Sequence, residues 1–182
     1  MIIRLADCPW QPWKNGLGRT RQIAVHPEGS NNGDFAWRVS MAEVDSAAPF
    51  SCFPGIDRTI VLLDGAGFTM TLDGERTHAL TTPWVPFDFP GESAVKVALA
   101  GGSTRDFNLM VRREHARGRV QVWHEAGEYP LGQHTALIHC ASGRITLGRT
   151  TLDAGDSWLN HHGTRVRLHA GTTALVVHIE PR

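Results

Sequence analysis

FAWRVSMAEVDSAAPFSCFPGIDRTIVLL, residues 35–63, decides how the rest of the chain is read. Phe35, Trp37, Val39 and Met41 alternate with Arg38 and Ser40, the period-two signature of a half-buried strand. Ile60, Val61, Leu62 and Leu63 form an unbroken apolar run, as a strand covered on both faces does. Between them a loop punctuated by Pro and Gly, Pro49 to Arg58, carries Phe50, Phe53 and the pair Asp57, Arg58. Two strands and a stiff loop thus bring Arg38 and Arg58 close to a packed core. Charge placed there needs a partner, which directs the search towards an anion.

The same grammar extends outward. Phe68, Met70 and Leu72 alternate with Thr69 and Thr71 between a DGAG turn and Asp73-Gly74, a hairpin pattern. Phe107, Leu109 and Val111 alternate with Asp106, Asn108 and Met110. Upstream, CPWQPWKNGLGRT is too rich in Pro and Gly for a long helix, and Trp10 and Trp13 read as plugs over the core. The charged run RREHARG, residues 112–118, marks a boundary, beyond which short strands resume and continue to Ile179. No helical period lasts three turns, and regular short strands parted by turns indicate a sandwich or barrel. The halves also echo each other. Ile60 to Leu63, DGAG and Phe68 to Leu72 are matched by Leu137 to Cys140, ASG and Arg144 to Leu147, one β-unit used twice.

Composition sets the bounds. A chain of 182 residues suffices for one domain or two small fused ones. Eighteen basic and eighteen acidic residues balance, which disfavours a nucleic-acid backbone as partner. No apolar run approaches the ~20 residues that span a bilayer, and the N-terminus has no secretory pattern. The expected setting is the cytoplasm, with no membrane partner. The three cysteines, Cys8, Cys52 and Cys140, are widely spaced and read as reduced thiols.

Several motifs, in one order, resemble the HutD/Ves family: Trp13-Lys14-Asn15-Gly16 with Gly18 and Thr20, Trp37-Arg38-Val39-Ser40, Phe50-Ser51 with Phe53-Pro54-Gly55-Ile56-Asp57-Arg58, and Asp106-Phe107-Asn108 with Met110. Leu17 departs from that family's glycine-rich turn, and L-x-x-G-D at Leu152 to Asp156 is similar to the cupin barrel. The resemblance implies an all-β bicupin, two fused cupin-like β-barrels, spanning residues 1–113 and 114–182, with a ligand pocket in the first. It also implies a metal-free, cofactor-free protein that binds a small molecule and modulates histidine utilisation or a stress response. A histidine-degradation intermediate such as formylglutamate is the implied ligand.

The residues themselves weigh against the common cupin metal site. Ten histidines are present and eight follow Glu114, yet no H-x-H occurs. His161 and His162 are adjacent and would face opposite ways on a strand. His139 and His178 could line the second barrel, without a carboxylate at a recognisable spacing. No G-x-S-x-G appears. The sharpest reading is an anion pocket in which Arg38 and Arg58 grip a carboxylate and Ser40 and Asn108 orient it. Asn15 caps the mouth, Asp106 positions an arginine or accepts an amide N–H, and Trp37, Phe53 or Met110 supply apolar walls. An internal ion pair of Arg38 or Arg58 with Asp106 or Asp57 stays open as the alternative. So does an enzyme, an isomerase, epimerase or hydrolase with Asp106 or a histidine as base. A protein-binding second barrel and a homo-oligomer also remain compatible with the sequence.

Overall fold

A computed structural model describes residues 1–30, 33–160 and 165–182. Among them the chain forms one 3-10 turn, Leu5–Asp7, and eighteen strands. In chain order these are β1 (Ile2–Ile3), β2 (Gln11–Pro12), β3 (Gly18–His26), β4 (Trp37–Val44), β5 (Ile56–Asp64), β6 (Phe68–Leu72), β7 (Arg76–Leu80), β8 (Phe87–Pro90) and β9 (Val95–Leu99). There follow β10 (Thr104–Arg112), β11 (Ala116–Trp123), β12 (Gly127–Pro130), β13 (Thr135–Ser142), β14 (Arg144–Leu147), β15 (Thr150–Asp153), β16 (Ser157–Leu159), β17 (Arg165–Leu168) and β18 (Thr173–Pro181). No helix among the described residues is long and apolar enough to cross a membrane.

The strands make two barrels, each of two facing antiparallel sheets. The first holds the order β2-β3-β4-β10-β5-β8 opposite β7-β6-β9, and the second holds β1-β16-β13-β18-β11 opposite β12-β17-β14-β15. The repeat read from the sequence is present as pairing. In the first barrel β5 pairs with β8 and β10, and β6 with β7 and β9. In the second β13 pairs with β16 and β18, and β14 with β15 and β17. Each barrel has its own apolar cluster. Ile60, Leu62, Phe68, Met70, Leu80 and Phe89 fill the first, and Ile138, Cys140, Ile145, Leu152, Val166 and Val176 the second.

The chain divides into residues 9–117 with Arg182, and residues 1–8 with 118–181. The sequence reading places residues 1–8 with the first barrel. Instead β1 pairs with β16, Ile2 opposite Trp158 and Ile3 opposite Ser157. Asp156 holds this strap: Arg4 Nη1 donates to its Oδ2 at 2.6 Å and the Leu5 N–H to its Oδ1 at 3.1 Å. Gly155 is required beside it, because a Cβ there would lie 2.4 Å from Leu5 Cδ2 and φ is +94°. The L-x-x-G-D motif is thus a clasp for the N-terminal strand.

Two local expectations shift. Arg58 lies inside β5, not in the loop, because that strand begins at Ile56 and pairs with both β10 and β8 from Asp57 onward. The second half of RREHARG belongs to β11, which starts at Ala116 after a turn.

Candidate functional site

The site is a polar layer on the inner face of the first barrel. β5 alternates, so Arg58 shares its face with Ile60 and Leu62, which pack against the smaller sheet. Register carries that face across the sheet. Leu62, Ile60 and Arg58 lie opposite Asp106, Asn108 and Met110 on β10, which in turn face Ala42, Ser40 and Arg38 on β4. Five of the six residues expected at the site therefore share one surface. The polar face of β4 turns into the barrel, while Trp37, Val39 and Met41 on the other face are also buried. The strand is covered on both sides, and its alternation marks an inner polar layer instead of a solvent boundary.

Within the layer, Arg58 Nη2 donates to Asn108 Oδ1 at 3.0 Å, and Asn108 Nδ2 donates to Asp106 Oδ1. A single amide thus bridges cation and acid. Arg58 is 8% exposed and Asp106 1%, values that put both inside the barrel wall. Arg58 Nε and Asp106 Oδ2 are buried and have no hydrogen-bond partner among the described residues. Three rings surround the guanidinium, with centroids 4.8 Å (Phe89), 5.3 Å (Phe50) and 5.7 Å (Phe53) from Cζ, a cation–π setting that partly offsets its lost hydration. Met110, between the two arginines in register, packs with Phe35 and Ile56 into a small apolar cluster that Val25 and Phe53 border. Ser40 is buried opposite Asn108, and Arg38 is half-buried.

Burial dominates the electrostatics. It pushes the Asp106 carboxyl up to about 7, against the pull of Arg58 and the Asn108 hydrogen bond. It pushes Arg58 down to about 10, opposed by Asp106 and reinforced by the like charge of Arg38. Burial lowers Arg38 as well.

Asn15 makes no hydrogen bond to this group among the described residues. Its turn leads into Gly18, which pairs with Val44, two residues along β4 from Ala42, the partner of Asp106. The exposed Asn15 side chain accepts the Leu17 N–H at 3.0 Å instead. The turn's purpose is packing: a Cβ on Gly18 would lie 2.9 Å from the Trp13 ring, and Trp13 borders the core as expected of a plug. Asp57 is also elsewhere, ion-paired with Arg113 at 2.7 Å. Trp37 cannot form a wall because it faces the other way, stacked on His26. Phe89, which forms the nearest wall, was not expected at the site, although Phe87-Asp88-Phe89 before the Pro90-Gly91 turn carries the period-two signal. A surface cavity of about 340 Å³ lies elsewhere, lined by Gly55, Arg112, Arg113, Glu114 and Arg182, and includes none of the six expected residues.

In the second barrel His139 is buried on the face of β13 opposite Ile138 and Cys140, with Nδ1 2.9 Å from Ser157 Oγ. His178 Nε2 lies 3.2 Å from Gln121 Oε1. His161 and His162 lie outside the described residues. Among the described residues no three His, Cys, Asp or Glu side chains converge as a metal site would require.

A model of the family described as HutD matches residues 5–177. A 21.2 kDa protein in the hutC 3' region of Pseudomonas putida is 35% identical over 144 residues, 79% of this chain and 75% of that protein. Protein Ves of Citrobacter koseri is 35% identical over 153 residues, 82% of this chain and 78% of its own. The structure of HutD from Pseudomonas fluorescens SBW25, described as a formate condition, superposes with a TM-score of 0.85 at 29% identity, covering 100% of this chain and 98% of that one. The two barrels are accordingly of the cupin type.

Proposed function

The chain belongs to the HutD family, and from that premise we propose that its first barrel binds a small carboxylate metabolite, with Arg58 as the gripping cation. The observation that carries this reading is the company Arg58 keeps. A guanidinium inside an aromatic cage donates to a neutral amide, and its Nε has no partner among the described residues. A buried cation gains most from a carboxylate in such a place. Arg38 on β4 adds positive potential at the half-buried side, and Ser40 and Asn108 orient the ligand. Asp106 Oδ2, buried without a partner among the described residues, can meet an amide of the same molecule, accepting its N–H when ionised or donating to its C=O when protonated. A carboxylate joined to an amide fits both, which favours formylglutamate and a role in modulating histidine utilisation. A relative named for the hutC 3' region supports that setting. Phe50 and Phe53 lie over Arg58, so entry passes the loop that carries them.

A thermal-shift screen of small carboxylates, acylated glutamates and urocanate included, tests the reading. A ligand at one hundred times its Kd stabilises by about 2.7 kcal/mol, roughly 5–10 °C for a chain of this size. Arg58→Met is expected to abolish the shift. No shift with any acid, or a shift that persists in Arg58→Met, contradicts the assignment.

A second reading has one specific observation in its favour. A carboxyl held near pH 7, with one oxygen uncommitted, is suited to general-base work. As an isomerase or epimerase the protein would exchange a substrate C–H for deuterium in heavy water, and Asp106→Asn would stop it.

A further inference from the structure

Resting on the reading of the first barrel as an anion site, we infer that a carboxylate binding at Arg58 brings with it one proton, which Asp106 takes up. Arg58 and Asp106 are joined through a single amide in the same buried layer. Arg58 is the cation that favours an ionised Asp106. A carboxylate against Arg58 places two anions around one buried cation, and the second ionisation is then disfavoured, as in other shared carboxylate sites. The proton comes from the solvent, up to one per ligand according to how much Asp106 is ionised beforehand, and lands on Oδ2, the oxygen without a partner among the described residues. There it converts an acceptor into an O–H donor that can reach the incoming oxygen. Ionised Asp106 would accept an N–H, and protonated Asp106 offers a hydrogen bond to a carbonyl or carboxylate.

The groups facing Asp106 are few. From β5 comes Arg58 and from β4 Arg38; Thr20 and Gln22 on β3 are level with Ala42 and Ser40. The facing sheet presents Phe68, Met70, Leu72, Val95 and Val97. It also brings His78 of β7, opposite Met70 in register and stacked on Phe87 at 3.6 Å. His78 is the imidazole on that sheet, held below its ordinary value by burial and by Arg76, so the test must separate it.

Formylglutamate, which itself does not titrate between pH 6 and 8.5, is titrated into the protein calorimetrically in HEPES and in Tris, buffers of unlike ionisation enthalpy. At pH 7.5 the expected heats differ by the ionisation of between half and one proton per ligand. The apparent Kd should weaken by up to tenfold from pH 7.5 to 8.5. In Asp106→Asn the heats should coincide and the Kd should stay flat, while His78→Gln should behave as the unaltered protein. Binding heat without buffer dependence overturns the inference and leaves the anion site standing, as does a dependence that survives Asp106→Asn and disappears in His78→Gln. No binding of formylglutamate or formate in either buffer overturns both.

Discussion

Asn108 and Val176 hold corresponding places in the two barrels. Asn108 on β10 lies opposite Ile60 of β5, and Val176 on β18 lies opposite Ile138 of β13. One step along, Asp106 faces Leu62 where Ala174 faces Cys140. The pairing scheme is the same, but one inner face carries an acid, an amide and a guanidinium while the other is apolar. Pairing is satisfied by the backbone, which leaves the inner side chains free to differ. The second barrel uses them for packing. The first spends stability on a buried polar chain, and such a cost is what a ligand site incurs.

The comparison breaks most sharply if polarity is moved across. Val176→Asn places an amide in the second barrel without a chain of partners. It should cost about 3 kcal/mol, roughly 6–12 °C in Tm, measured by calorimetric melting. A loss under 2 °C would mean that the second barrel tolerates what only the first is argued to hold.

A smaller effect separates the barrels by pH. Burial holds His139 down at about 4, so its neutral form is favoured on folding. That contribution is complete above about pH 6.5 and is lost as pH falls through 4, about 3 kcal/mol in all. Asp106, raised to about 7, works oppositely: its contribution is complete below about pH 4 and fades as pH rises to 7. Melting curves from pH 4 to 8 should therefore lose their acid-side fall in His139→Gln and their decline towards neutrality in Asp106→Asn. Unchanged slopes in both variants would contradict this assignment of the two titrations.

Much of the fold was legible because its signals are local. The alternation in Phe68 to Leu72, the glycine turns and the repeated strand–turn–strand unit are each written within ten residues. The shared face of Arg38, Ser40, Arg58, Asp106 and Asn108 was legible in part, since parity along each strand fixes which side chains go together. Which side of β4 meets the barrel interior was not. Both faces of that strand are buried, and the polar one is the inner, the reverse of what alternation usually signals. The role of Asn15 was not legible, because its side chain bonds the Leu17 N–H within its own turn. The strap at residues 1–8 pairs with a strand some 150 positions away, and the clasp residue Asp156 carries no local mark of that partner.

The most direct measurement is NMR of the arginine side chains during titration with formylglutamate at pH 7. One buried Nε–H resonance, identified by its absence in Arg58→Met, should move downfield and saturate with the ligand, as a guanidinium newly paired with a carboxylate does. If the protein binds the acid while that resonance stays fixed, Arg58 is a structural cation and the ligand is held elsewhere.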